Sequence, residues 1–239
     1  MRAFFGLRDF VAHLKKHGEL LTLSAPFHPK YEISTILSGI GKKEGPAILF
    51  ENVKGYQFPV VGNLLGTKKR LSMALGVDPE DLIESALSKL DKRIPPILTF
   101  DRSQKVVITK REKIDLLKLL PILTHYSKDS GPYITSGITS ARDLKNRTIG
   151  RGLHRMEVRG KNELGISLLN PPLSEIYAQY KKENRKMEVA TVIGVDPATF
   201  IAAIFKIPRG IDKLSVAVMI DKISLAPLDE TSSMHKIHI

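Results

Sequence analysis

Two short segments bring together residues whose types and spacing suit chemistry. SGPYITSGITS, from Ser130 to Ser140, sets a Gly-Pro turn before a strand-like run bearing Thr135, Ser136, Thr139 and Ser140. It could offer hydroxyls and close backbone approach to a ligand; an ordinary turn followed by a half-buried strand has the same pattern. GRGLHRMEVR, from Gly150 to Arg159, places glycines on both sides of Arg151 and follows them with His154 and Arg155. Its backbone could approach a phosphate or a ring, and an arginine fork could take a carboxylate in bidentate fashion; a basic edge strand fits the same residues. His125 follows a strand-like PILT and reads as a loop base or as a hydrogen-bonded structural histidine. Near the end, Asp229 and Glu230 are adjacent, which in an extended chain turns their side chains to opposite faces, so they read as turn residues. His235 and His238 would share a helical face, but a terminal position favours no metal role. No GxSxG elbow, Walker loop or GxGxxG fingerprint is present, and a chain with no cysteine has no thiol nucleophile.

The elements that must position these residues change character along the chain. In the first third, helix and strand alternate. Phe10, Val11 and Leu14 share a face over Leu7 to Gly18; LLTLS follows as a strand, and Tyr31 to Gly41 repeats the helical spacing. AILFE and FPVVG read as strands, Lys68 to Leu75 as a helix, and Pro79 to Leu90 as another with Asp78 as its N-cap. The prolines of RIPPIL interrupt this layer. Beyond them KVVITK, YITSGITSA, LHRMEVR, LGISLL, VATVIGV and LSVAVMI read as short strands, with helices at about 173 to 183 and 197 to 205. The expected organisation is an α/β domain over residues 1–105 and a β-rich domain over 106–239.

Composition sets limits. The chain has 239 residues, 42% of them hydrophobic and none of them cysteine, which suits a buried core without disulfides or thiolate metal sites. No apolar run approaches a membrane span, and Arg8, Asp9, Lys15 and Lys16 break the amino-terminal segment into an amphipathic helix, so a soluble cytoplasmic protein is expected. The net charge of +12, from 37 basic and 25 acidic residues, could favour polyanions. The basic residues are spread out and no aromatics are interleaved with them, which argues against nucleic acid and for a solvated surface, an acidic substrate or a phosphate-bearing cofactor.

Longer stretches carry a resemblance. GPAILFENVKGYQFPVVGNLLGTKKRLSMALG (Gly45 to Gly76), LPILTHYSKDSGPYITSGITSARD (Leu120 to Asp143), GLHRMEV (Gly152 to Val158) and VATVIGVDPATFIAA (Val189 to Ala203) resemble, in the same order, segments of the UbiD family of prenylated-flavin-dependent decarboxylases. The resemblance covers nearly the whole chain. It implies that the second domain is a split β-barrel related to flavin reductases. It also implies a carboxy-lyase acting on an aromatic or α,β-unsaturated carboxylic acid, with prenylated FMN from a separate flavin prenyltransferase and Mn²⁺ or Mg²⁺ at the flavin phosphate.

Carried over residue by residue, Arg155 falls on the family's substrate-binding arginine. Gly150, Gly152, Leu153 and His154 fall along the cofactor, with Gly150 and Gly152 in place of a metal-binding Asn and a Ser. Glu175 stands where the family has a histidine at the metal, and carboxylate oxygen suits either ion. Ala203 and Ile204 replace cofactor-contacting hydroxyls. The family's third metal ligand and catalytic glutamate pair are expected beyond Ile239. Two further readings follow: a catalytically incomplete flavin- or phosphate-binding protein that needs a partner chain or a homo-oligomer, and a basic nucleic-acid-binding protein.

Overall fold

The computed structural model describes Phe4 and residues 6–91, 97–98, 109–208, 211–220 and 224–225. In chain order its helices are α1 (Leu7–Lys16), α2 (Glu32–Gly41), α3 (Lys68–Leu75), α4 (Leu82–Asp91), α5 (Leu116–Leu119), α6 (Leu173–Lys182), α7 (Pro197–Ile204) and α8 (Leu214–Ile220). The strands are β1 (Leu20–Phe27), β2 (Ala47–Val53), β3 (Val60–Gly62), β4 (Ile97–Leu98), β5 (Tyr133–Ile134), β6 (Ile138–Arg142), β7 (Ile149–Leu153), β8 (Met156–Gly160), β9 (Glu163–Ile166), β10 (Val189–Val192) and β11 (Ser224–Leu225).

Spacing dictates the first layer. Phe10 and Leu14, four apart on α1, are both fully buried, each contributing about 1.5–3 kcal/mol through burial. The helix stops at Gly18, whose φ of 71° is open to glycine at little cost. β1 then runs parallel to β2, with α2 as the crossover between them, and β3 returns antiparallel to β2. Thr67 caps α3 by accepting from the Arg70 backbone N at 3.2 Å, and Gly76, at φ 62°, ends it. Arg70 is buried to 1% exposure and donates from Nη1 to Glu19 Oε2 at 3.1 Å and from Nη2 to the Gly45 carbonyl at 2.9 Å. That tie joins α3 to the entry of β1 and to the turn before β2.

In the second half, two three-stranded antiparallel sheets exchange strands, in the orders β5-β8-β9 and β10-β6-β7. Neither YITSGITSA nor LHRMEVR is the single strand its β-branched content predicts. The first breaks at Thr135–Gly137 between β5 and β6, the second at His154–Arg155 between β7 and β8, and at each break the chain passes from one sheet to the other. Gly137 makes one corner possible, because a Cβ there would sit 2.6 Å from Met156 Cε and 2.9 Å from Thr191 Cγ2.

Two further expectations are corrected. LSVAVMI is the helix α8, not a strand. Asp212 caps it, its Oδ1 accepting from Leu214 N at 3.0 Å, and Leu214 to Ala217 are all buried, so this first turn carries no exposed polar face to signal a helix. The helix expected from Pro79 begins instead at Leu82, because residues 78–81 form a turn in which Asp81 N reaches the Asp78 carbonyl at 3.1 Å. KVVITK, apart from its last residues, and the expected boundary at 105/106 lie outside the described residues, as do Asp229, Glu230, His235 and His238.

The principal core crosses the expected boundary. Phe10, Leu14, Ala47, Ala74 and Leu75 pack with Ala198, Ile201, Ala202, Leu214, Val216 and Ala217 from α7 and α8. Asp196 fixes the start of α7, its carboxylate accepting from Thr199 N at 3.0 Å and from Thr199 Oγ1 at 2.7 Å. Among the described residues no helix is long and apolar enough to cross a membrane.

Candidate functional site

The chemically suggestive residues collect at the two sheet-switching corners. Across β5 and β8, Tyr133 pairs with Glu157 and Ile134 with Met156. Alternation sends Ile134 and Met156 into a small core with Ile122, leaving Tyr133 and Glu157 on the outer face. Arg155, two residues before Glu157, is exposed, and its guanidinium carbon lies 5.5 Å from the centroid of the Tyr133 ring. The Tyr133 hydroxyl is 2.9 Å from Ser130 Oγ, which steadies the ring. The carboxylate nearest along this strand is already engaged: Arg159 Nε donates to Glu157 Oε2 at 3.0 Å. Hydrogen bonds from Ser130 and then Arg159 hold the Glu157 carboxyl below its ordinary range. Among the described residues Arg155 has no carboxylate partner.

Behind the corner, β7 turns Gly150 and Gly152 toward α6. A Cβ on Gly150 would lie 2.3 Å from Ile176 Cδ1 and 3.2 Å from Pro172 Cγ; one on Gly152 would lie 2.8 Å from His154 Nε2 and 3.6 Å from Leu173 Cδ1. Gly150 therefore serves the close packing of α6 on the sheet, while Gly152 faces the imidazole. His154 is buried, and its Nδ1 is 2.8 Å from the Ser167 carbonyl. A carbonyl can only accept, so Nδ1 is the donor of this bond, and Nε2 lies on the side of Gly152. Leu153, between them, is half-buried.

The opposite face of β7 carries Arg151, which sequence reading left without a role. Its Nε and Nη2 donate to the two carboxylate oxygens of Asp212 at 2.8 and 3.1 Å, and its Nη1 to Ser140 Oγ at 2.8 Å. The guanidinium is thus spent on tying β7 to the cap of α8. The two residues are 61 apart in sequence, a separation that leaves no local signal. The remaining hydroxyls divide in the same way: Thr139 Oγ1 meets Thr191 Oγ1 at 3.0 Å inside the protein, whereas Thr135 and Ser136 are exposed at their corner. Ala203 is buried and its carbonyl accepts from Lys213 Nζ at 2.6 Å, while Ile204 is exposed. Burial pushes the Lys213 amine below its ordinary value.

Glu175 sits half-buried in the first turn of α6. No group of three His, Cys, Asp or Glu that could hold a metal occurs among the described residues.

Tyr133 also lines a cavity of about 600 Å³ between the two halves of the chain, together with residues of β3, the loop after it, Leu120 to Leu123, His125 and Phe200. Burial pushes the His125 imidazole below its ordinary value, against a smaller upward pull from Asp129. A more open groove of about 960 Å³ lies between α1, α3 and α4 and shares no lining residue with the cavity.

Comparison with known proteins places this arrangement. Residues 99–234 match the 3-octaprenyl-4-hydroxybenzoate carboxy-lyase Rift-related domain, and residues 11–90 match the N-terminal domain of the same carboxy-lyase. The chain is 36% identical over 208 residues to anhydromevalonate phosphate decarboxylase of Methanosarcina mazei, covering 85% of this chain and 46% of that protein. The UbiD-class enzyme HmfF from Pelotomaculum thermopropionicum, solved in complex with FMN, superimposes with a TM-score of 0.87 at 32% identity, over 95% of this chain and 51% of that one. Vanillic acid decarboxylase of Sedimentibacter hydroxybenzoicus shares the fold, with a TM-score of 0.85 at 22% identity over 97% of this chain and 51% of that one. The chain thus spans about half the length of the relatives it matches. Both domain matches, the curated relative and the superposition agree, and the chain belongs to the UbiD family.

Proposed function

We propose that this chain forms the cofactor-side half of a prenylated-FMN-dependent decarboxylase or carboxylase acting on an aromatic or α,β-unsaturated carboxylic acid, with Arg155 holding the substrate carboxylate. The observation that carries the reading is the state of Arg155: exposed, backed by the Tyr133 ring, and without a carboxylate partner among the described residues. A guanidinium in that state can take an incoming carboxylate with two parallel hydrogen bonds, fixing the bond to be broken and neutralising charge that shifts as carbon dioxide leaves. HmfF has been solved with FMN and, in an evolved dimeric form, with prenylated FMN, which supports the choice of cofactor. Bound prenylated FMN would supply the electron sink for decarboxylation. Gly152, Leu153 and His154 are the residues that would hold it, with His154 Nε2 beside a glycine that leaves the backbone approachable. Gly150 supports that surface from behind through its contact with α6. No step is assigned to a metal, since no group of three His, Cys, Asp or Glu that could hold one occurs among the described residues.

The two corner-linked antiparallel sheets support a split-barrel reading of the second domain. The carboxylate nearest Arg155 along its strand, Glu157, is engaged by Arg159, which favours completion of the site by further polypeptide, either a partner chain or a second copy. The cofactor would come from a flavin prenyltransferase.

The test is titration of an aromatic acid, monitored by calorimetry, into protein co-expressed with a flavin prenyltransferase, comparing the native chain with Arg155→Ala and Arg155→Lys. Arg155→Ala should lose at least about tenfold in affinity with its circular dichroism intact, and Arg155→Lys should recover only part of it. Equal affinity in all three proteins would sink the assignment.

A further inference from the structure

The cavity between the two halves of the chain has a lining unlike the rest of the molecule. Charged residues make up 26% of the sequence, yet no Lys, Arg, Asp or Glu lines the cavity among the described residues. Its walls are aliphatic and aromatic, with Val60, Leu65, Leu123, Ile134 and Phe200 drawn from four separate segments. At about 600 Å³ it is far larger than the packing defects of a close-packed interior and falls within the range of small-molecule sites.

The polar groups that do reach it are few. Asn63 has its Nδ2 committed to the carbonyls of Gly45 at 2.9 Å and Pro46 at 3.0 Å. Thr135 and Ser136 are exposed, and the Tyr133 hydroxyl is engaged with Ser130 Oγ at 2.9 Å. That leaves His125, half-buried, its own carbonyl accepting from Ser34 Oγ at 2.9 Å, so the residue is anchored through its backbone while its ring remains for other use. Burial disfavours the charged form of the imidazole against a smaller opposing pull from Asp129, and the neutral ring presents one donor and one acceptor. Phe58 and Ile193 are also lining residues and are 53% and 47% exposed, so apolar surface extends outward from the cavity.

We propose that this cavity is a second binding site, adjoining the one at Arg155 across Tyr133, which takes an uncharged, largely aromatic or aliphatic molecule with a hydrogen-bonding group, such as a phenol or an alcohol, and turns carboxylates away. The apolar walls supply the affinity and His125 meets the one polar group. A carboxylate drawn into the same space would lose its hydration with no cation to replace it, and should bind roughly a hundredfold more weakly than the neutral compound of the same shape. The two sites are therefore sorted by charge: acids at Arg155, neutral molecules between the halves.

The experiment uses 2-naphthol and 2-naphthoate as a matched pair, titrated calorimetrically at neutral pH into the full chain. The native protein should bind 2-naphthol at one site. Val60→Trp, which fills the cavity, should weaken that binding by at least tenfold. Ile193→Trp, at an exposed position that tolerates bulk, is the second variant should the first fail to fold, and in a chain without tryptophan it adds a fluorophore that the naphthol should quench. Arg155→Ala should leave 2-naphthol affinity unchanged while lowering that of 2-naphthoate. No measurable 2-naphthol binding, equal binding of the two compounds in the cavity, or undiminished binding in a folded filled variant would each overturn the proposal. Loss of 2-naphthol binding in Arg155→Ala would merge the two sites and overturn it as well. Unchanged 2-naphthoate binding in Arg155→Ala would refute the carboxylate role of Arg155 alone.

Discussion

Replacing Glu19 by alanine tests the electrostatic tie at the centre of the amino-terminal layer. Arg70 is 1% exposed and the Glu19 side chain 16%; their 3.1 Å contact is joined by Lys69 Nζ, 2.6 Å from the other Glu19 oxygen. Arg70 Nε has no hydrogen-bond partner, so this guanidinium already sits at the limit of what its surroundings compensate. Removing the carboxylate would leave a buried charge with the Gly45 carbonyl as its remaining acceptor, a change of about 3–5 kcal/mol by the behaviour of buried pairs that lose one partner. At about 2–4 °C per kcal/mol for a chain of this size, the melting temperature should fall by roughly 6–20 °C. Urea denaturation followed by circular dichroism measures the effect directly. A loss below about 1 kcal/mol, the scale of an exposed pair, would refute the reasoning. So would failure of the apolar double replacement Glu19→Leu with Arg70→Met to recover most of the loss, because the cost is assigned to a stranded charge and not to missing volume. Hydrogen bonds from Lys69 and then Arg70 hold the folded-state Glu19 carboxyl below its ordinary value, outweighing the upward push of burial. Its contribution is therefore present in full above the unfolded carboxyl's pKa of about 4.3 and disappears as pH falls through the lower folded value. Glu19→Gln should accordingly show a flatter loss of stability on acidification.

Other perturbations probe the sheet, a cap and the arginine. Gly150→Ala would drive a methyl into Ile176 Cδ1, 2.3 Å away, and should cost about 1–3 kcal/mol in denaturation experiments, with partial relief from Ile176→Val. Asp196→Ala removes both bonds to Thr199 and should cost about 1 kcal/mol, which Asp196→Asn should largely restore. Tyr133→Ala withdraws the ring behind Arg155 and should weaken acid binding by about 2–30-fold in calorimetry, the range of an exposed to partly desolvated cation–π contact, while Tyr133→Phe should bind nearly as the native chain does. An unchanged affinity in Tyr133→Ala would show that the ring does not position the guanidinium.

The alternating first layer was legible because its helices are amphipathic: Phe10 and Leu14 declare a face, and Gly18 and Gly76 declare ends. Legibility failed where burial is complete. Leu214 to Ile220 is rich in β-branched residues and apolar apart from Ser215, and only the capping bonds of Asp212, which no periodicity reports, separate helix from strand. The corners were hidden for another reason. A strand that changes sheets keeps its β-branched composition through the bend, so YITSGITSA and LHRMEVR read as continuous. Arg155 was nameable from its motif, but its backing by Tyr133 depends on the β5–β8 register, and the pairing of Arg151 with Asp212 joins residues 61 apart. Residue types indicated which side chains could act; long-range pairing decided which of them are already occupied.

The mixed composition of the principal core has a consequence for how the chain is made. Phe10, Leu14, Ala74 and Leu75 emerge from the ribosome early, but the residues that cover them, Ala198, Ile201, Leu214 and Val216, are synthesised more than a hundred positions later. At about 5–20 residues per second the interval lasts on the order of ten seconds, during which the first layer carries an uncovered apolar surface. A nascent chain halted before α7 should therefore require chaperone protection or aggregate, and synthesis that slows through the intervening strands should lower the soluble yield without altering the finished fold.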